Sequence, residues 1–488
     1  MKQEKYILNP HYSMYPDAKR ITLVCDTGDR YQLFLIHPMH AVLFSFFKGG
    51  EQLGTTVKKI AQYFSLSEES AYSMLSVFIE NEKSVTLKYD GNIFTFPPKM
   101  LVENSDGLVR SDIVTDNYMI NGPYDFVTSR HYIPQSVVFI INMTCVTDCI
   151  YCYADKTHSF LPLTTEKIVE IINEAKKVGV RSFDITGGEL FLQKDWKTIT
   201  KTLVDNGFDP DPSTKVPLGE EDINYLKKIG ITHIQVSLDS LDPEIQKNNI
   251  KVTPAYIEKM KQALLYLDRQ GIELTIKGTL TRHTCTIGNV HGIINFLQQF
   301  KNVKQYQVST IGKPMYKPRL DYVDLRPTSE QIREMGNFIS EMDKNLEYDL
   351  TFDCQATYKN TLCNYQEFKN RSICSGNMDG FVLLPDGKVT ICEELYWNPD
   401  FIIGDLTKQS IMEMWSSERA FNLWNIQQKN IPEDSACAKC QDFDRCRHGA
   451  GVCWKMVIGM YGDEHPFYPD PRCPRAPEPL KKDAYYDC

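Results

Sequence analysis

The sequence predicts an α/β fold, a partial (β/α)6 barrel set between a small mixed domain and a cysteine-rich C-terminal third. Three observations carry this expectation. From Val137 to Ser309, short apolar runs suited to buried parallel strands alternate with segments whose apolar residues recur at helical spacing. Ahead of residue 98, two hairpin patterns bracket three short amphipathic segments. Ten of the fifteen cysteines lie from Cys354 onward.

Residues 20–36 read as two alternating strands around Thr27-Gly28-Asp29. Three helices follow: Val42, Leu43, Phe46 and Phe47 mark the first, Val57, Ile60, Ala61 and Phe64 the second, and Ala71, Leu75, Phe78 and Ile79 the third, which starts after the cap residue Ser67. A second hairpin pairs Val85 to Tyr89 with Asn92 to Phe96 across Asp90-Gly91, residues that tolerate positive φ. Hairpin, three helices and wing, over residues 1–98, resemble a winged helix-turn-helix domain. Residues 99–135 have mixed polarity and no period and are expected to be a bridging linker.

The barrel is expected over residues 136–345. Its strands are predicted at Val137 to Asn142, Ser182 to Thr186, Ile231 to Leu238, Ile272 to Leu280 and Gln305 to Ser309, six in all with the third in order counted before Ser213. Helices lie between them, one closed by Gly230 and one opened by Thr253-Pro254 and stopped by Gly271. In such an architecture the reactive chemistry sits at the C-terminal ends of the strands. Residues 346–488 form the cysteine-rich region.

Composition narrows the function. Across 488 residues, 42% hydrophobic and 24% charged content is an ordinary soluble balance, and no apolar run reaches the ~20 residues of a membrane helix. The net charge of −9 argues against a nucleic-acid footprint, and Glu68, Glu69, Glu80 and Glu82 give the third-helix region the wrong sign for reading DNA. The mixed-charge N-terminus lacks a secretion signal, so a cytoplasmic protein without membrane attachment is expected. Clustered cysteines in a reducing compartment point to metal rather than disulfides.

After the first barrel strand stands Cys145-Val-Thr-Asp-Cys149-Ile-Tyr-Cys152. Structural zinc wants four closed ligands, whereas three thiolates on a 4Fe-4S cube leave one iron free. The Cx3Cx2C triplet, with Tyr151 before its last cysteine, resembles the signature of the radical S-adenosylmethionine (SAM) superfamily. The resemblance implies a cluster on Cys145, Cys149 and Cys152 that binds SAM and yields a 5'-deoxyadenosyl radical. Thr186-Gly187-Gly188-Glu189 is similar to the family's GGE motif, whose glycines admit close backbone approach and whose carboxylate meets the SAM ammonium. Ser237-Leu238-Asp239 looks like its SLD segment. Tyr151, Gly187, Gly188, Glu189, Ser213, Ser237 and Asp239 are thereby the implied cofactor-binding residues. Ser213-Thr214-Lys215 stands where the family has TNG, and Lys251 stands near the place of an arginine common downstream of SLD.

The C-terminal cysteines Cys374, Cys392, Cys437, Cys440, Cys446, Cys453 and Cys473 resemble the SPASM extension of radical SAM maturases, although six residues separate Cys446 from Cys453 where the family has three. By resemblance, Cys363 or Cys354 joins Cys374, Cys392 and Cys453 around a first auxiliary cluster, or that cluster keeps an open iron for a substrate thiolate. Cys437, Cys440, Cys446 and Cys473 would hold a second, for three 4Fe-4S clusters in all; the competing reading is a zinc ribbon on Cys437, Cys440, Cys446 and Cys453. Cys25, Cys285 and Cys488 read as buried or incidental thiols, and no histidine is assigned to metal. Glu393, next to Cys392, matches an acidic base of the related sulfatase maturases; with Glu394 it also reads as a solvated acidic pair.

The whole resembles a SPASM maturase that holds a ribosomally made precursor peptide by its leader, through β-augmentation on the first hairpin, and closes a thioether cross-link in the core segment. Carbon-carbon cross-linking, a formylglycine-forming maturase and a non-catalytic zinc or redox scaffold are the other readings. A small electron donor such as flavodoxin or ferredoxin is an implied partner.

Overall fold

A computed structural model of the chain describes residues 4–27, 31–154, 160–315, 322–354, 368–369, 371, 374–478 and 480. The chain divides into two compact units, Met1–Ile133 and Pro134–Cys488. No described helix is long and apolar enough to cross a membrane.

In the first unit, β1 (Lys5–Leu8), β2 (Tyr12–Pro16), β3 (Ile21–Asp26) and β4 (Tyr31–Ile36) precede a helix at Pro38–Phe44. Then come β5 (Lys48–Gln52), helices Leu53–Phe64 and Glu68–Ser76, the hairpin β6 (Val85–Tyr89) and β7 (Asn92–Phe96), and β8 (Leu101–Glu103). The predicted hairpin is β3 with β4, antiparallel from Ile21 opposite Ile36 to Asp26 opposite Tyr31, and β2 covers the other side of β3. β4 is thus an edge of that sheet. A second sheet, β5-β1-β8, had no signal in the sequence because its strands are three to five residues long.

The helix caps follow the residue chemistry. The Ser67 hydroxyl accepts from the Ser70 N–H at 3.1 Å, and Asp90 (φ 47°) with Gly91 (φ 74°) turns the β6–β7 hairpin. Phe78 and Ile79 fall beyond the third helix, and Phe78 instead packs edge-on against Phe44 and Phe96, with ring centroids 4.9 and 5.0 Å apart.

Residues 99–133 are not a free linker: they belong to the first unit, where Met100, Leu101, Ile113 and Tyr118 share its core. Arg20, fully buried, donates to Asp17 Oδ2 at 2.8 Å, to the Arg130 carbonyl at 3.0 Å and to the Thr128 carbonyl, while the Ile133 N–H donates to Asp17 Oδ1 at 2.9 Å. These tethers are buried polar bonds between distant residues, which leave no hydrophobic period to read.

The second unit begins with β9 (Ser136–Ile140), β10 (Ser182–Thr186), β11 (Ser213–Thr214), β12 (His233–Ser237), β13 (Glu273–Leu280), β14 (Val303–Thr310) and β15 (Asp349–Asp353). β9 and β10 pair in parallel, as do β11 to β15 in sequence order, with helices such as Thr165–Val178, Glu220–Ile229 and Ala255–Arg269 between strands. β15 is a seventh parallel strand that the sequence reading missed, since its five residues carry an aspartate at each end.

The cysteine-rich region is built into the sheet of β9 and β10, which is separate from the sheet of β11 to β15. β16 (Gly380–Leu383) pairs in parallel with β9, and β17 (Lys388–Thr390) and β18 (Ile402–Asp405) extend it antiparallel. A Cβ on Gly380 would stand 2.1 Å from Ser136 Oγ and 2.3 Å from the Ser136 carbonyl, so only glycine lets β16 seat there.

Candidate functional site

A cavity of about 370 Å³ opens at the C-terminal ends of the parallel strands. Strand ends supply a row of hydroxyls, Thr186, Ser213, Ser237, Thr279 and Ser309, and the loop after β9 supplies Cys145, Cys149 and Cys152. Two bonds dock that loop on the helix Pro243–Ile250: the Asp148 and Ile150 N–H groups donate to the carbonyls of Ile250 and Asn249, each at 2.9 Å. Thr147 Oγ1 lies 3.3 Å from both Cys145 Sγ and Cys149 Sγ.

The two glycines after β10 serve that loop. Gly187 has φ 121°, and a Cβ there would meet the Asn142 carbonyl at 2.5 Å; at Gly188 it would meet the Thr144 carbonyl at 2.1 Å. Asn142 stitches the two segments together, its Oδ1 accepting from the Thr144 and Glu189 N–H groups at 3.0 and 3.2 Å. The glycines therefore admit the cysteine loop's own backbone, an approach that the motif alone does not reveal.

Glu189 lines the cavity but is 3% exposed. Its carboxylate accepts from the Thr214 hydroxyl at 3.0 Å, the Lys215 N–H at 3.0 Å and the Phe191 N–H at 3.2 Å. Burial holds its pKa above the usual carboxylate range against those donors. Asp239, 2% exposed, lies beneath the cavity: Oδ1 accepts from the Thr279 N–H at 2.9 Å, and Oδ2 from Lys215 Nζ at 3.0 Å and from the Tyr151 hydroxyl. Lys215 Nζ also donates to the Tyr151 oxygen at 2.8 Å. Tyr151 sits between two of the loop's cysteines, so this buried network fixes the loop from below. The sequence reading missed Lys215 and weighed Lys251 as a cation; Lys251 is exposed and donates to the Asn248 carbonyl at 2.8 Å.

Glu393 does not line the cavity. Glu394 does, ion-paired with Lys455, and Glu393 accepts from the Tyr153 hydroxyl at 3.4 Å behind it. Burial first, and Glu394 next, raise the Glu393 carboxyl.

Seven of the remaining cysteines fall into two groups; Cys354, just after β15, is disulfide-bonded and packs at the apolar cluster of Ile311, Tyr322, Leu325 and Ile332. Cys437, Cys440, Cys446 and Cys473 line one cavity of about 310 Å³. Cys453 is not among its lining residues, where the zinc-ribbon reading would put it, and Cys473 is. Cys374 lies on the neighbouring cavity, 3.3 Å through its Cβ from where a Gly451 Cβ would stand, and its N–H donates to the Ala450 carbonyl at 3.1 Å. Burial raises Cys392 to about 12 and Cys453 to about 11, with Cys453 adding to the rise at Cys392 and Cys374 to that at Cys453. Four sulfurs facing one cavity are a donor set that fits iron-sulfur ligation. Cys363 and Cys488 lie outside the described residues; Cys25 and Cys285 are buried.

Residues 139–289 match the Radical SAM superfamily, and residues 374–441 match SPASM, an iron-sulfur cluster-binding domain. The chain thus carries a radical SAM domain followed by a SPASM domain. The chain is similar to the PqqA peptide cyclase of Rhizobium meliloti (strain 1021), 24% identical over 348 residues that span 70% of this chain and 88% of that one. The PqqA peptide cyclase of Ruegeria pomeroyi is 22% identical over 358 residues, 72% of this chain and 91% of that one. In fold it is similar to Streptococcus suis SuiB. The SAM-bound form gives a TM-score of 0.61 at 13% identity over 96% of this chain and 99% of that one. The form bound to precursor peptide SuiA gives 0.62 at 13% identity over 95% and 98%.

Proposed function

We propose that this chain is a maturase of a ribosomally made precursor peptide and closes an intramolecular thioether cross-link. The observation that carries the reading is the three-cysteine loop facing a hydroxyl-lined cavity at the strand ends, with two further cysteine groups in the same unit. The parallel strands are read as a partial (β/α) barrel. Cys145, Cys149 and Cys152 hold the SAM cluster, Cys374, Cys392 and Cys453 the first auxiliary cluster, with Cys354 or Cys363 as its further ligand, and Cys437, Cys440, Cys446 and Cys473 the second. When bound, the first cluster and SAM supply a 5'-deoxyadenosyl radical. Thr186, Ser213, Ser237 and Ser309 orient SAM by hydrogen bonds, and the Tyr151-Lys215-Asp239 network keeps the cysteine loop in place.

Glu394 and Lys455 form the polar wall toward substrate, and Glu393 works through the Tyr153 hydroxyl, holding that phenol at the cavity. The first unit is read as a winged-helix domain that recognises the leader, with β4 as the edge that an extended peptide joins. Two similarities support a peptide substrate: the relatives are cyclases of a peptide, and SuiB is seen with a precursor peptide. A cytoplasmic setting and a flavodoxin- or ferredoxin-like donor complete the proposal.

The test is anaerobic incubation of the iron-loaded enzyme with SAM, a reductant and the small peptide encoded beside its gene, followed by mass spectrometry. A product lighter by two hydrogen atoms, with one cysteine no longer alkylated by iodoacetamide, is expected. The same mass loss with every cysteine still alkylated would replace the thioether by a carbon-carbon bond. SAM cleavage without any change in the peptide would refute the maturase reading.

A further inference from the structure

The cavity lined by Cys437, Cys440, Cys446 and Cys473 differs sharply in charge from the SAM-site cavity. Five cationic side chains and two carboxylates line it, against two lysines and two glutamates around the SAM site. Three of the five cations reach the sulfurs themselves. Arg371 Nη2 donates to Cys446 Sγ at 3.2 Å, Arg447 Nη2 lies 3.6 Å from Cys437 Sγ, and Arg475 Nη1 donates to Cys440 Sγ at 2.7 Å. The Arg475 backbone N–H approaches the fourth sulfur, Cys473 Sγ, at 3.5 Å. Every sulfur of the quartet therefore has an N–H donor, and three of the donors are guanidinium groups.

Arg447 carries a second and independent sign. It is 5% exposed and lines both this cavity and the neighbouring one that holds Cys374. Its Nη2 is anchored by the Phe467 and Tyr468 carbonyls at 3.1 and 2.8 Å, and the guanidinium lies over the Trp454 ring at 5.6 Å. Yet its Nε and Nη1 are buried with no hydrogen-bond partner among the described residues, as is Arg371 Nε. Buried, unpaired guanidinium donors are costly unless acceptors arrive, and the anionic sulfur core of a cluster is such an acceptor.

We infer that Arg371, Arg447 and Arg475 are potential-setting residues of the second auxiliary cluster, which they make the most readily reduced of the three. The inference rests on the proposed assignment of a 4Fe-4S cluster to this quartet. One-electron reduction adds one negative charge to the cluster, with no bond made or broken and no proton required. Nearby cations and N–H···S bonds favour that added charge, and burial strengthens the contribution of Arg447. Asp442, 3.4 Å from Arg475 and 3.6 Å from Lys369, offsets part of the positive charge, but cations remain in excess around the cavity. Arg447, shared by two cavities, extends the effect to the first auxiliary cluster. Net oxidation of a substrate needs a place for the released electron, and this cavity is the one prepared for it.

The test is a potentiometric titration of the full iron-loaded chain with dithionite, followed by electron paramagnetic resonance, on wild type, Arg447→Gln, Arg447→Lys and Arg475→Gln. Iron and sulfide are counted first, in wild type and in Cys440→Ser. Failure of Cys440→Ser to lose iron would refute the cluster assignment and leave the arginines without a role. With iron intact, the highest of the three midpoint potentials should fall in both Gln variants and stay closer to wild type in Arg447→Lys, while the SAM-bound signal is unmoved. Should Arg447→Gln fail to hold iron, Arg475→Gln, altered at the half-exposed rim, decides alone. Unchanged potentials in an iron-replete Gln variant, or an equal fall for Lys and Gln at position 447, would overturn the inference.

Discussion

Gly188→Ala tests whether the glycines after β10 exist for the cysteine loop. The new methyl carbon would stand 2.1 Å from the Thr144 carbonyl and 2.6 Å from its nitrogen, where an ordinary contact begins at 3.4 Å. Thr144 must then retreat by about 1.3 Å, the difference between 3.4 and 2.1 Å, and it precedes Cys145 directly. The two nearest of the three obstructing atoms are backbone, the third being Asn142 Oδ1 at 2.7 Å, so no side-chain rotation relieves the clash. Overpacking of this kind costs about 1–3 kcal/mol, and a displacement of about 1 Å at a reacting centre costs about 100-fold in rate. The assay is anaerobic formation of 5'-deoxyadenosine, with iron counted per chain. SAM cleavage should fall about 100-fold while auxiliary iron persists. Gly288→Ala is the control, since nothing lies within 4 Å of its added carbon and alanine suits a helix better than glycine. Wild-type cleavage by Gly188→Ala would refute the argument that this glycine admits the cysteine loop.

Lys215→Met should destabilise the chain by about 3–5 kcal/mol, because Asp239, buried beside Tyr151, would lose its cation; urea unfolding measures this, and Lys215→Arg should recover part of the loss. A second expectation concerns pH. His40 is buried among the Tyr89, Phe94 and Phe96 rings, and burial lowers its pKa from 6.5 to about 4. Folding therefore disfavours the protonated form, so its contribution is present above pH 6.5 and is lost as the pH falls toward 4, at most about 3 kcal/mol. His40→Leu should flatten that part of the stability-pH curve, and an unchanged slope would assign the loss to other groups.

How much of this was legible without the structure depended on distance along the chain. The Cys145-Cys149-Cys152 triplet sits on one loop, so its spacing alone brings three sulfurs to one place, and the hairpin turn at Asp90-Gly91 is a matter of local φ. Residues 1–98 showed their helices and hairpins because an amphipathic period is written in consecutive residues. Residues 99–133 showed no period, since their core residues Met100, Leu101, Ile113 and Tyr118 are irregularly spaced and Arg20 and Asp17 hold Arg130 and Ile133 by polar bonds.

The sequence by itself set the chemistry class to expect, a cysteine triplet on one short segment with further cysteines clustered late in the chain, in keeping with the radical SAM and SPASM matches. Tertiary structure decided the rest. It grouped Cys473, rather than Cys453, with Cys437, Cys440 and Cys446, brought Lys215 under Tyr151, put Glu394 instead of Glu393 on the cavity wall, and aimed three arginines at one quartet of sulfurs. The physical reason is common to all four. Motif spacing constrains residues on one short segment, whereas a hydrogen bond between a guanidinium and a sulfur 75 residues away depends on the whole path of the chain between them.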